Sequence, residues 1–206
     1  MGRVGWCRRA GAVGRGHPGA GRRQRRARCH AVAGLSVRRR GWPVPVLAVL
    51  APAALLAAGL LVAGQVGALQ GQPPNDLGLH QGHLKAPSAT PNSVSSEAAL
   101  HAGHPMQQLA MIAPLQLPGS PPAEAIGRIA AAVRAMPGAV IVRRTDDYLY
   151  ARFTSRWLGF VDDAEFWADG SGAVQLRSAS RIGRGDFGVN RARIEQLRAR
   201  LASPSS

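Results

Sequence analysis

The sequence predicts an α+β fold: a two-layer sandwich whose antiparallel sheet runs in the order β-α-β-β-β-β-α, with the helices on one face and one transmembrane helix in front. Three observations predict it. Between residues 139 and 182, alternating apolar and polar runs are separated by short turn signals, the mark of consecutive antiparallel strands. Two segments, around 120–136 and 186–201, repeat apolar residues every three or four positions, the mark of helices with one buried face. Upstream, no charged residue occurs from Gly41 to Asn75, and the stretch Val46–Gly64 is almost wholly apolar.

Residues 1–40 form an Arg-rich segment expected to be disordered, because it has no apolar period with which to build a core. The chain has a formal net charge of +15, and this charge is concentrated at the front. Residues 1–70 hold 12 arginines and no acid, whereas the remainder carries 14 basic against 11 acidic residues. Three readings fit the basic segment: a cytoplasmic tail drawn to anionic lipid, a phosphate-binding nucleic-acid arm, or a stretch upstream of the true start. The apolar segment that follows at once argues against the nucleic-acid reading.

Residues 44–69 are assigned as a transmembrane helix or signal anchor, since about 20 apolar residues span a bilayer and Pro52 is tolerable as a kink. Arginines in front and none close behind place the N-terminus in the cytoplasm and the rest outside a bacterial inner membrane, in the periplasm or envelope. Val66-Gly67-Ala68 offers a cleavage site, but the apolar run exceeds the roughly 7–15 residues of a signal core, which favours a retained anchor.

Residues 70–106 are rich in Pro, Gly and Ser and read as a linker with an irregular lead-in. They hold His80-x-x-His83 and His101-x-x-His104, pairs whose spacing suits zinc or copper. No acid or cysteine completes a set, so solvated histidines are expected and neither a metal nor another cofactor is assigned. Residues 107–202 are the expected α+β domain, and 203–206 a tail. Within the domain, Leu109–Leu115 reads as an edge strand because Pro114 cannot donate to a ladder. Ser120 is the expected N-cap of a helix that places Ile126, Ile129, Val133 and Met136 on one face, and Pro137-Gly138 ends it. Strands follow over 139–143, 148–156, 159–168 and 173–182. A last helix is capped from Asp186 to Asn190 and carries a stripe of Ile194, Leu197 and Leu201.

Asp169-Gly170-Ser171-Gly172 is a hairpin signal. If Asp169 and Gly172 close the turn, Asp162 faces Ala179 and Ala164 faces Arg177. Asp162 then shares a face with Arg177 and Arg181, and Asp163, Glu165, Ser178 and Ser180 take the other. A slip of one residue exchanges these sets. The cluster has two readings: an ion-pair network that fixes register, or a pocket in which Arg156, Arg177 and Arg181 hold an anion. The face away from the helices carries Tyr, Trp and charged residues and is the expected binding surface.

The segments SRWLGFVDDAEF, VQLRSASRIGRGDFGVNRARIE and TPNSVSSEA resemble the signature blocks of the domain-of-unknown-function family 1499, over about residues 73–201. The resemblance implies a small envelope-associated domain and no reaction. It marks Ser155, Gly159, Phe160, Asp162, Asp163, Glu165, Arg177, Ser178, Ser180, Arg181, Gly183, Asp186, Gly188, Asn190 and Arg191 as family-like positions. Relatives carry a cysteine pair around the block where Ser93 stands here, and both cysteines of this chain, Cys7 and Cys29, lie in the leader.

The expected ligand-binding set is therefore Arg156, Asp162, Asp163, Glu165, Arg177, Ser178, Ser180, Arg181, Asp186, Asn190 and Arg191, with no catalytic residue assigned. The expected protein is a membrane-anchored, non-catalytic domain with an envelope protein or small anionic ligand as partner. Two alternatives stand beside it: an acid/base hydrolase using Asp162, Asp163 or Glu165, and a structural subunit of an envelope complex.

Overall fold

The computed structural model describes residues 44–202. The Arg-rich segment and the tail, over 1–40 and 203–206, lie outside them. The first element is α1, Val44–Gln65, a helix long and apolar enough by length and composition to cross a membrane. At about 1.5 Å per residue its 22 residues measure about 33 Å, close to the thickness of a bilayer's hydrocarbon core.

The sheet follows the predicted strand sequence and adds one strand. β1 (Ser93–Ser95), β2 (Leu115–Gln116), β3 (Ala139–Arg144), β4 (Tyr148–Thr154), β5 (Val161–Ala168) and β6 (Ala173–Ser180) pair antiparallel in the order β1-β6-β5-β4-β3, and β2 lies beside β1 along the same edge of β6. A four-residue helix, α2 (Gln107–Ala110), takes the start of the stretch expected as an edge strand, so that strand begins only at Leu115.

Two helices cover one face, α3 (Pro122–Arg134) and α4 (Val189–Ala202). The predicted stripe of α3 is buried: Ile126, Ile129 and Val133 are wholly enclosed and Met136 nearly so. Each such side chain contributes about 1.5–3 kcal/mol of burial. They pack on Leu149, Ala151 and Phe153 of β4, Ala164 and Phe166 of β5, Leu176 of β6, and Ile194 and Leu197 of α4. Ser120 does not cap α3. Pro121 holds the N-cap position, its carbonyl accepts from Ala125 N, and the Ser120 hydroxyl instead donates to Glu124.

The β5–β6 register differs by one residue from the expected one. Asp162 faces Ser180, Asp163 faces Ala179 and Glu165 faces Arg177. The cause is at the turn. Gly170 and Gly172 both adopt positive φ, and Ala173 is already committed to the other edge, facing Gln116 of β2 while Leu117 N donates to Gly172 O. The pairing therefore closes at Ala168 and Val174, and every β6 side chain changes face relative to the prediction.

The second face of the sheet was expected to be open, and it is covered. The stretch assigned to the linker crosses it as a strap. Gly78 N donates to Glu165, Ala86 O accepts from Arg177 Nε, and Leu84 is buried to 2% exposure. The strap ends by joining the sheet as β1, where Val94 enters the core. Charged side chains on this face need more than water to hold them in one register, and the strap's backbone groups supply the partners.

Candidate functional site

Two polar clusters lie on opposite faces of β5 and β6. Under the strap, Glu165 is fully buried. Its Oε1 accepts from Gly78 N and from Tyr148 Oη, both at 2.7 Å, while its Oε2 faces Arg177 Nη1 at 3.9 Å, beyond hydrogen-bond reach. Burial pushes the Glu165 carboxyl above its usual range, against the lowering effect of those donors and of Arg177. Burial lowers Arg177 as well, and both burial and Glu165 raise Tyr148.

One pair of residues along, Arg181 grips Asp163 with two hydrogen bonds, Nε to Oδ2 at 2.8 Å and Nη2 to Oδ1 at 2.9 Å, the fork geometry that favours arginine here. Tyr150 donates to the same carboxylate at 2.6 Å, and burial together with Asp163 pushes its hydroxyl up to about 12. These groups satisfy one another and have little contact with solvent, so their arrangement is that of a register-fixing network.

On the helix-covered face, Asp162, Ser178 and Ser180 of the strands meet Asn190 and Arg193 of α4. Arg193 Nη2 donates to Asp162 at 2.5 Å and its Nη1 to Asn190 Oδ1 at 2.7 Å. The guanidinium also sits 4.5 Å from the centroid of the Phe153 ring. Ser178 donates to Asn190 Oδ1, and Asn190 Nδ2 donates toward Ser180 Oγ, Asn92 O and Asp186. Asp186 accepts from Gly188 N and Asn190 N, the expected cap of α4, and these donors hold its carboxyl below the ordinary range although burial acts the other way.

This second cluster opens outward. Asp162, Ser180 and Asp186 form the polar floor of a cavity of about 300 Å³, and Phe160, Ile182, Phe187 and Val189 form its apolar wall and rim. Phe187 is fully exposed and held at φ +52°, a left-handed conformation that few bulky residues adopt. A larger groove of about 560 Å³ lies along the strap between His80, His83, Lys85 and His101, but it is shallow and its lone acid, Asp76, is already paired with Lys85. The smaller cavity is the better candidate, because it joins a wired polar floor to an apolar wall.

The sequence-predicted residues divide between these sites. Asp162, Ser180 and Asp186 line the cavity, with Ser178 and Asn190 buried in the hydrogen-bond network behind them; Asp163, Glu165, Arg177 and Arg181 lie under the strap. The expected meeting of Asp162 with Arg177 and Arg181 gives way to the pair with Arg193, a consequence of the shifted register. Arg156 is exposed beside Trp157, 5.2 Å from its ring centroid, and Arg191 donates to Leu109 O and Met111 O instead of to the cavity. Sequence reasoning missed Arg193, Asn92, Tyr148 and Tyr150. The last two were legible as alternate residues of a strand, but Arg193 required the α4 register.

The four paired histidines do not assemble. His80 and His83 form a backbone bridge, His83 Nδ1 bonds Glu97 at 2.8 Å, and His104 Nδ1 accepts from Met106 N. Among the described residues no group of three or more His, Cys, Asp or Glu is arranged to hold a metal ion.

The family model described as Protein of unknown function (DUF1499) matches residues 83–201, a span that runs from inside the strap through α4. No curated protein and no solved structure matches the chain.

Proposed function

The chain belongs to the DUF1499 family of proteins of unknown function, and from that premise we propose that it is a membrane-tethered, non-catalytic domain that binds a small, largely apolar ligand in the cavity between the start of β5 and the start of α4. The observation that carries this reading is the cavity's construction, an apolar wall of Phe160, Ile182, Phe187 and Val189 over a floor of Asp162, Ser180 and Asp186. The carboxylates favour binding over hydrolysis. Asp162 is paired with Arg193, Asp163 with Arg181, and Glu165 lies beneath the strap, so none stands ready to exchange protons with a ligand.

In this reading α1 is the anchor and is retained. Gly64 and Gln65, which touch the domain, lie upstream of the Val66-Gly67-Ala68 cleavage site, so processing there would remove those contacts. The arginines ahead of α1 support a domain on the outer side of the inner membrane, by the positive-inside rule.

The test is native mass spectrometry of the full chain purified from membranes. A bound small molecule carried by the wild type and lost from Val189→Trp, which fills the cavity from its rim, supports the reading. A wild type that carries no bound molecule, like the variant, overturns it. Alkaline-carbonate extraction should leave the chain in the membrane pellet, and a periplasm-dependent alkaline phosphatase fused after Ser206 should be active. Release from the pellet or an inactive reporter removes the anchor or the topology, respectively.

A further inference from the structure

We propose that the face around Trp157 and the cavity rim docks onto the lipid bilayer itself, so that the domain sits in the headgroup layer with the cavity mouth turned toward lipid. This rests on the reading of α1 as a membrane anchor and goes beyond it, because an anchored domain can equally stand clear of the surface.

The first ground is a ruler argument. A helix of about 33 Å starting at one boundary of a hydrocarbon core about 30 Å thick ends at the other boundary. Its last residues are fixed to the domain. Gln65 Nε2 donates to Arg156 O and Trp157 O, and a side chain on Gly64 would strike the Leu158 backbone. A side chain on Gly159 would in turn meet Gly64 O. The turn 155–160 is therefore at the depth where α1 leaves the hydrocarbon.

The second ground is what that turn and its neighbours expose. Trp157 is 65% exposed, and Phe160, Ile182, Phe187 and Val189 are all exposed large apolar side chains. Gly71, just beyond α1, passes against Ile182, which makes the patch continuous with the helix exit. A water-facing surface has no use for a fully exposed phenylalanine held in a left-handed backbone conformation, whereas a headgroup layer takes aromatic side chains readily. The third ground is charge. Arg156 and Arg184 are exposed on this face, and its nearby acids, Asp162 and Asp186, are bonded to Arg193 and to the α4 N-terminus. The free charge is thus cationic and suits anionic headgroups.

The experiment uses the full chain reconstituted in vesicles of phosphatidylcholine and phosphatidylglycerol, with lipid brominated high on the acyl chains as quencher. Single-tryptophan variants retain Trp42, which precedes α1 in sequence, Trp157, or Trp167. Trp167 lies near the far end of β5, about 20 Å from the Val161 end at ~3.3 Å per residue. Docking predicts that Trp42 and Trp157 each lose about half their emission and Trp167 loses none. Quenching at Trp42 without quenching at Trp157 overturns the docking and leaves the anchor standing. No quenching at either overturns both. If replacing Trp167 impairs folding, the difference in quenching between the wild type and Trp157→Phe gives the same answer.

Discussion

Arg193 ties α4 to the strands of the candidate site, reaching Asp162, Asn190 and Ser178 while it packs on Phe153. Its removal leaves a nearly buried carboxylate without its cation. Arg193→Ala is expected to cost about 3 kcal/mol, read from chemical denaturation of the chain in mild detergent. Asp162→Asn with Arg193→Ala together should cost less than the sum of the two, since neither charge is then stranded.

Glu165 poses the opposite question, because burial outweighs its donors and the Arg177 guanidinium 3.9 Å away and favours its neutral form. A carboxyl whose folded value lies above the unfolded one, ~4.3, contributes stability that is complete below that value and is lost as pH rises through the raised folded value. Denaturation midpoints measured upward from about pH 4.3 should therefore carry a declining component. Glu165→Gln should flatten it. An unchanged slope in that variant would place the pH dependence elsewhere.

Phe187 is a bulky residue whose backbone and side chain conflict. Left-handed backbone costs a residue with a Cβ about 1–2 kcal/mol, so Phe187→Gly should raise domain stability by about 1 kcal/mol while weakening ligand retention. That opposed pair of outcomes separates a functional side chain from a structural one.

Among the elements, the β5–β6 hairpin shows where sequence reading ends. The strands and the turn are legible in the alternation of 161–168 and 173–180 and in the Asp-Gly-Ser-Gly signal. Which residue closes the turn is not, because it depends on Ala173 facing β2, a pairing between residues far apart in sequence. The same applies to the strap, whose composition reads as linker. Its Pro, Gly and Ser fit an irregular path, and only the buried partners Glu165 and Arg177 show that the path lies against protein. By contrast α3 and α4 were readable at once, since their apolar stripes are local and the Asp186 cap is within four residues of its donors.

The junction of α1 with the 155–160 turn depends on two glycines at close approach. Gly159 has φ +63°, and an added Cβ would lie 2.4 Å from Gly64 O. Gly159→Ala should part the helix end from the turn, detected as faster proteolysis between residues 66 and 70 of the reconstituted chain, with α3 and α4 remaining protected from hydrogen exchange.

On the scale of the whole molecule, the sheet is covered by helices on one side and by the strap on the other, so the folding unit begins well before the first residue of the expected domain. Leu84, Val94 and Ala98 are all buried. A chain beginning at residue 70 should melt cooperatively, whereas one beginning at 107, without the strap and β1, should not, as circular dichroism on heating would show. The family match points the same way, as it starts at residue 83.

The strap has a further consequence for reach. Left extended, the residues from 70 to 106 would let a tethered domain wander about 120 Å from its anchor. Folded down against its own sheet, that length yields almost no travel. If α1 is the anchor proposed above, whatever meets the cavity must come to the membrane to do so, and a distant target is out of range.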